Sequence, residues 1–118
     1  MPKKNVATDH KRILDSLLLS MPSVAEGKMF GYAAYYVNRK LFACIYGEGV
    51  GVEVPEEVAN KLLTEKHVVP FQPFGKPKMR EWIQINRPRS SDYRKDMDVF
   101  RAAVAFVSQI QATTRRNK

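Results

Sequence analysis

The sequence predicts a two-layer α+β domain in which a five-stranded antiparallel sheet carries three helices on one face, in the order α-β-β-β-α-β-β-α. The stretch GKMFGYAAYYVNRKLFACIYGEGVGVEV, residues 27–54, is rich in aromatic and β-branched residues, is interrupted by Gly or Asn, and lacks helical periodicity. The segments near the two ends repeat apolar residues at intervals of three and four, the pattern of an amphipathic helix. We therefore expect central strands with helices packed on them.

The first helix is predicted within TDHKRILDSLLLSM, with Thr8 or Asp9 as its N-cap. Pro22 is expected to end this helix, because the residue before a proline is pushed out of the helical conformation. The apolar stripe that would face the sheet consists of Ile13, Leu14, Leu17, Leu18 and Met21.

Three strands are predicted next, joined by two tight turns. The strands Met29–Val37 and Lys40–Tyr46 flank Asn38-Arg39, which has the length of a two-residue hairpin loop. The glycines in Gly47-Glu48-Gly49 favour a second turn. After this turn, Val50–Val54 alternates valines with other residues, as a strand does.

The second half of the chain predicts a helix, two strands and a long last helix. Pro55 and the two acids after it favour a helix start, and this helix is expected to stop near Lys66. The prolines of HVVPFQPFGKPK allow only a short or edge strand, whereas REWIQIN alternates as a regular one. Ser91 is expected to cap the last helix, whose stripe is Met97, Phe100, Val104, Val107 and Ile110.

Length and composition are those of one intracellular domain. The 118 residues suit a single domain over 1–118, with 1–7 and 112–118 as flexible tails. Cys44 is the only cysteine, so an internal disulfide is excluded, and we expect a buried, inert thiol in a reducing cytoplasm. No apolar stretch approaches the roughly 18 residues of a membrane span, and none follows MPKKN as in a signal peptide.

The chain is strongly basic, with a formal net charge of +8. Residues 76–95 contain seven cations and only two acids, Glu81 and Asp92, which leaves +5 in this window alone. A basic patch of this kind favours polyanions such as nucleic acid. The alternative is a basic surface that serves solubility.

Three segments, KMFGYAAYYVNRKLFACIYG, GVEVPEE and PFGKPKMREWIQI, resemble the TfoX N-terminal domain family in their order and spacing. The motifs of that family fall on two tripeptides, Met29-Phe30-Gly31 at the entry to the first strand and Gly75-Lys76-Pro77 before the last one. The resemblance covers roughly residues 9–110. It implies a fold like that of YjbR-like proteins and secretion chaperones, and a role in regulating competence for DNA uptake. Full-length competence regulators of this kind carry a second, C-terminal domain.

Residues suited to catalysis or metal binding form no recognisable set in the sequence. His10 and His67 have no Cys, His or Asp at metal-ligand spacing, and both are expected to be solvated. Glu56 and Glu57 would point about 100° apart on a helix, so they suit its positive end rather than a catalytic pair. We therefore expect no enzyme activity, no catalytic residue, no metal and no cofactor.

The segment FGKPKMR, followed by Trp82, is the strongest candidate for a binding site. Gly75 and Pro77 constrain a loop whose cations lie beside an aromatic residue, an arrangement that can hold a phosphate backbone and stack a base. The alternative is a lysine-rich loop in water. The candidate residues for binding nucleic acid or a protein partner are Lys76, Lys78, Arg80, Trp82, Arg87 and Arg89.

The face of the sheet away from the helices is expected to be partly open. Its candidate residues are the polar-tipped aromatics Tyr35, Tyr36, Tyr46 and Trp82, which suit a wet interface, although core packing is the alternative for each. Gly31 is expected between two large side chains, where a Cβ would be crowded.

These observations leave two functions open. The first is a small, non-enzymatic regulatory binding module that acts on nucleic acid or on a regulatory protein. The alternative is a homodimeric adaptor or chaperone-like domain without nucleic-acid binding, which uses the open sheet face or the last helix. Neither reading involves a membrane. Salt separates them, because phosphate binding weakens with salt and apolar association does not.

Overall fold

The computed structural model describes residues 6–75, 77 and 79–116, with side chains described for 9–73, 75, 77 and 79–109. Within this part of the chain there are three α-helices, α1 (Val6–Leu18), α2 (Glu56–Leu62) and α3 (Met97–Arg116). The six strands are β1 (Val24–Met29), β2 (Tyr32–Val37), β3 (Lys40–Tyr46), β4 (Gly49–Glu53), β5 (Val68–Pro70) and β6 (Trp82–Ile85). Two 3₁₀ helices span Pro73–Gly75 and Ser90–Asp96.

The strands form one antiparallel sheet in the order β1-β2-β3-β4-β6-β5. The first four strands are consecutive hairpins. The α+β class and the antiparallel sheet predicted from the sequence are therefore confirmed. The prediction of five strands is wrong for the described residues, which form six.

The additional strand is β1, most of which the sequence did not predict as a strand. Its residues VAEGKM pair with β2 from Val24↔Val37 to Met29↔Tyr32, so Phe30-Gly31 is a two-residue hairpin loop rather than the entry to a strand. Both loop residues have positive φ, 50° for Phe30 and 85° for Gly31, as a type I′ turn requires. The strand is partly polar because it lies at the sheet edge.

One main core lies between the sheet and the helices. All three helices contribute side chains to it, including Leu14 and Leu18 from α1, Ala59 from α2 and Phe100 from α3. The valines predicted to share one face of the third strand, Val50, Val52 and Val54, all point into this core. Burial of these apolar side chains is the main source of stability in a domain of this kind.

The helix ends differ from those that the sequence predicted. Helix α1 begins at Val6, so Thr8 and Asp9 lie within it and neither is its N-cap. The last helix is the longest, as predicted, but Ser91 lies in the 3₁₀ helix that precedes it and α3 begins at Met97. Helices α1 and α3 also extend into the stretches predicted as tails. None of the helices in the described residues is long and apolar enough to cross a membrane.

Candidate functional site

The face of the sheet opposite the helices carries a second, smaller apolar cluster. Because side chains alternate along a strand, Cys44 and Trp82 point away from their core-facing neighbours Ala43 and Ile83. The cluster is built around buried Ala34, Cys44 and Phe71. Half-buried residues surround it, namely Met29, Tyr36, Leu41, Tyr46, Met79 and Trp82.

Phe71 covers the middle of this face. It follows β5 directly and lies over Gly51, where a Cβ atom would come 2.6 Å from the Phe71 ring. Only glycine allows this approach, so the Phe71 ring packs directly on the backbone of Gly51. The Phe71 ring then contacts aromatic rings on both sides, Tyr46 at 5.7 Å in a T-shaped arrangement and Trp82 at 5.3 Å in a stacked one. Tyr32 continues this row, with its ring 5.2 Å from that of Tyr46.

A pocket of about 170 Å³ opens between the sheet and the segment that follows β5. Its walls are almost entirely apolar, and they come from β1, β3, β6 and the chain between β5 and β6. The lining residues are Met29, Phe30, Leu41, Phe71, Pro73, Met79 and Trp82. Sites for drug-sized ligands occupy roughly 300–1,000 Å³, so a pocket of this size suits a single ring rather than a whole cofactor.

Phe30 forms the exposed wall of the pocket. Its side chain is 76% exposed, although it is a large apolar residue. The type I′ turn holds Phe30 at positive φ, a conformation that is unfavourable for a bulky residue. A strained turn that presents an aromatic ring to solvent indicates a contact surface.

Glu53 lies on the same face of the sheet, but it does not line the pocket. It is the direct cross-strand partner of Trp82, so the two side chains share the open face. Strand β4 also lies between β3, which carries Leu41, and β6, which carries Trp82, and both of these residues line the pocket. Glu53 is only 8% exposed. Burial raises the pKa of Glu53, the positive charge of Lys40 opposes this effect, and the negative charge of Glu81 adds to it.

The structure separates the predicted site residues into two groups. Arg80 is exposed and lies just before β6, two residues from Trp82 at the pocket wall. Arg87 and Arg89 lie beyond the other end of β6. Lys76 and Lys78 lie outside the described residues. Of the described residues in the predicted set, Trp82 lines the pocket, and Arg80 is near it in the chain.

Arg87 is engaged within the protein. Its Nε and Nη2 atoms donate to the two carboxylate oxygens of Asp96 at 3.0 and 2.7 Å. The two side chains are 15% and 7% exposed. The hydrogen bonds to Asp96 raise the pKa of Arg87 despite its burial. This bidentate pair joins the end of β6 to the 3₁₀ helix before α3, which is a structural arrangement.

Tyr35 does not belong to the open face, contrary to the prediction. It is fully buried in the main core, and its hydroxyl donates a 2.6 Å hydrogen bond to Asp15 on α1. Burial raises the pKa of the Tyr35 hydroxyl, and the carboxylate of Asp15 adds to this effect. The other three predicted residues, Tyr36, Tyr46 and Trp82, do belong to the open-face cluster.

His10 is buried and not solvated, which is a second correction. Only 1% of its surface is exposed, its Nδ1 lies 3.1 Å from the Tyr93 hydroxyl, and the two rings meet edge to face at 5.0 Å. Its Nε2 has no hydrogen-bond partner among the described residues. Burial lowers the pKa of His10, while the Arg87 backbone and the carboxylates of Asp9 and Glu48 act in the opposite direction.

Cys44 is buried, and this burial raises its pKa to about 11, so the unreactive thiol form prevails at neutral pH. No three His, Cys, Asp or Glu side chains among the described residues come together in a group that could hold a metal ion.

The sequence indicates no binding role for five residues of this face, Leu41, Glu53, Phe71, Pro73 and Met79, and it marks Met29 and Phe30 only as parts of the family motif. A signal for Phe71 exists in the sequence, because a glycine in the middle of a valine-rich strand leaves room for a large ring. Glu53 gave no such signal, since an acid that alternates with valines is typical of a solvated strand face.

The fold and the pocket define a small two-layer α+β domain with an aromatic site on the open face of its sheet. Comparisons of the chain with protein-family models, with curated proteins and with solved structures find no match. The residues of the pocket and the positive charge of the chain are therefore the features that point to a function.

Proposed function

We propose that this protein is a non-enzymatic binding module that takes single-stranded nucleic acid on the open face of its sheet. The observation that carries the proposal is the small apolar pocket whose lining includes two aromatic residues, the exposed Phe30 and Trp82. Proteins that bind single strands combine aromatic rings, on which bases stack, with cations that follow the backbone.

Charge favours this occupant over an apolar peptide. The chain carries +8, and Arg80 lies two residues from the pocket-lining Trp82. Lys76 and Lys78 are within four residues of Arg80 in the sequence and would add to the same basic segment. When a base of a single strand stacks on the aromatic rings of the pocket, cations close to those rings can bind the neighbouring phosphates.

The resemblance to the TfoX N-terminal domain family supports the same direction. This family is associated with the regulation of DNA uptake and of transcription. Such regulation requires proteins that bind nucleic acid or other proteins in the cytoplasm, and a small binding module fits that role. Within this proposal, binding is the activity of the domain and catalysis is not.

Fluorescence anisotropy of labelled oligonucleotides at low salt tests the proposal. Phe30→Ala is the first variant, because its exposed side chain contributes little to folding, and it should weaken single-strand binding by about 5- to 100-fold, the range for loss of one stacked base. Phe30→Tyr occupies the same turn conformation and keeps the ring, so it should retain affinity. Equal affinity of the alanine variant and the wild type would contradict the proposal.

Trp82 supplies an independent signal, because it is the only tryptophan in the chain. Stacking of a base against its ring should quench its fluorescence on titration with an oligonucleotide. Arg101, an exposed arginine on α3, provides a control for charge. Arg80→Ala should weaken binding more than Arg101→Ala does.

The alternative is a homodimeric adaptor that uses the same face. The exposed Phe30 also favours this candidate, because it lies at the tip of the hairpin formed by the edge strand β1 and by β2. In that case Phe30→Ala would convert a dimer to a monomer in sedimentation equilibrium, and added salt would not weaken the dimer. A wild-type protein that remains monomeric at high concentration would exclude this alternative.

A further inference from the structure

The lining of the pocket also indicates which base it can hold. Its volume of about 170 Å³ suits a single ring, which favours a pyrimidine over the two rings of a purine. The described side chains that line the pocket carry no charge, no amide and no hydroxyl group. Discrimination between pyrimidines must therefore come mainly from apolar contact and not from hydrogen bonds to charged or amide side chains.

Three of the lining residues are not aromatic rings and have flexible or branched apolar side chains. Met29 comes from β1, Leu41 from β3 and Met79 from the chain just before β6. All three are only partly buried where they pack on the open-face cluster, so part of their apolar surface is left for a ligand to cover. The unbranched side chain of methionine adapts to the shape of what it contacts.

We infer that the pocket is selective for thymine, so that the strand it binds is DNA and not RNA. This inference rests on the proposed function. Thymine differs from uracil only in its 5-methyl group, and apolar side-chain contact is the way in which proteins recognise that group. The methyl group lies across the ring from the C2 carbonyl, so it can enter the apolar pocket while that carbonyl remains in water.

The preference depends on insertion of the base into the pocket. A methyl group contributes to affinity in proportion to the apolar area that it removes from water. A base that only stacks on the exposed ring of Phe30 would leave its methyl group largely hydrated. Contact with Met29, Leu41 or Met79 would instead bury the methyl group, and uracil would leave that space unfilled.

Binding of oligo-dT and oligo-dU of equal length tests the inference, because the two have the same sugar and the same backbone charge. The wild-type protein should bind oligo-dT more tightly by about 4- to 10-fold, the effect of one methyl group buried in an apolar site. Equal affinities would overturn the preference for thymine and leave the proposed function standing. Failure of both oligomers to bind would overturn both.

Two substitutions of Met79 locate the effect in the pocket. Met79 lies outside the helices and strands, which makes it a suitable position for exchange. Met79→Gln keeps an unbranched side chain but brings an amide to the pocket, so it should reduce the preference for oligo-dT. Met79→Leu keeps the wall apolar and should retain the preference. A thermal melt checks that both variants are folded.

Val69 provides the matched control on the same face of the sheet. Its neighbour Val68 belongs to the main core, so Val69 points to the open face, where it is 39% exposed and does not line the pocket. Val69→Gln should therefore leave the ratio of the two affinities unchanged. A preference that persists in Met79→Gln, or that falls equally in Val69→Gln, would overturn the inference, because the methyl group would then act through general stacking or surface contact.

Discussion

Arg80 and Arg87 carry the same charge and lie seven residues apart, but the structure gives them different surroundings. Arg80 is exposed and lies two residues before the pocket-lining Trp82, whereas Arg87 forms two hydrogen bonds with Asp96 in a nearly buried pair. Removal of one partner from such a pair leaves an uncompensated charge in the interior. The two arginines should therefore differ in which property their loss affects.

Arg87→Ala should destabilise the fold by about 3 kcal/mol, the order expected when a buried ion pair is broken. Arg80→Ala should leave the free energy of unfolding within about 0.5 kcal/mol of the wild type and should weaken oligonucleotide binding. Urea unfolding and anisotropy on both variants measure the two effects. An Arg87→Ala protein with unchanged stability would show that the pair with Asp96 is not structural.

His10 makes stability depend on pH. Burial lowers its pKa below the ordinary 6.5, so the unfolded chain binds the proton more readily than the folded one. Between the folded pKa and 6.5 the unfolded state thus holds more protons, and stability rises with pH in this window and is constant above it. The sign is opposite to that of a histidine paired with an acid.

The free energy of unfolding should accordingly fall as pH drops below 6.5, with a contribution from this residue that does not exceed about 1.4 kcal/mol per pH unit. His10→Phe keeps a ring against Tyr93 but cannot be protonated, so this part of the slope should disappear. Urea unfolding at several pH values measures it, with His67→Gln as the control for the other histidine. Identical slopes in the wild type and His10→Phe would refute the assignment.

At the scale of elements, two glycines illustrate different constraints on the sheet. Gly51 lies mid-strand under Phe71, where an added Cβ would come 2.6 Å from the ring. Gly31 lies in the β1–β2 turn with φ of 85°, and nothing lies within 4 Å of its Cβ position. The crowding that the sequence analysis predicted for Gly31 is therefore absent, and its constraint is the backbone conformation.

Gly51→Ala should lower stability by about 1–3 kcal/mol, because the methyl group displaces Phe71. Since Phe71 stacks on Trp82, the tryptophan emission should shift as well. Gly31→Ala should cost about 1–2 kcal/mol from positive φ and leave the emission unchanged, and Gly31→Asn should cost less. Thermal melts followed by fluorescence distinguish the two cases. An unshifted emission in Gly51→Ala would contradict the packing of Phe71 on Gly51.

Much of the main sheet could be predicted, because the turn-forming residues and the alternation of side chains indicate the same strand boundaries there. The Asn38-Arg39 turn lies where the two-residue spacing placed it, and both residues have positive φ, 51° and 71°. The register of β2 on β3 could not be predicted. Tyr35 pairs with Ala43 but Tyr36 pairs with Leu41, so Phe42 is an extra residue in a bulge and joins Ala43 on the core face.

The candidate site was predictable in part for a related physical reason. The basic segment and the tryptophan could be recognised directly in the sequence FGKPKMREW, because both are local features. The pocket forms only because β1, β3 and the chain after β5 come together on one face of the sheet. This depends on which strands pair, and the alternation of side chains along one strand does not determine its partners. Tyr35 was misplaced because adjacent tyrosines look identical in composition, although they point to opposite faces.

At the scale of the whole molecule, the structure changes how the net charge of +8 is expected to act. The five cations Lys76, Lys78, Arg80, Arg87 and Arg89 were expected to form one phosphate-binding surface. Arg87 is instead paired with Asp96, and Arg89 lies with it beyond the far end of β6. Of this set, Arg80 precedes the pocket-lining Trp82 by two residues, and Lys76 and Lys78, which lie outside the described residues, precede Arg80 in the sequence.

Three phosphate contacts should give a slope of log K against log salt near about −2 for single strands, since each contact contributes about −0.7. A rise from about 50 to 200 mM salt should then weaken binding by roughly 20-fold. Combined replacement of Lys76 and Lys78 by alanine should reduce the slope to about −0.7, whereas Phe30→Ala should lower affinity without changing it, because stacking releases no counterions. Arg89→Ala is the matched control and should leave the slope unaltered. A different result would be a wild-type slope near the value for five contacts, together with a smaller slope in Arg89→Ala. The bound strand would then follow β6 along its whole length, and the pocket would be one end of a longer site.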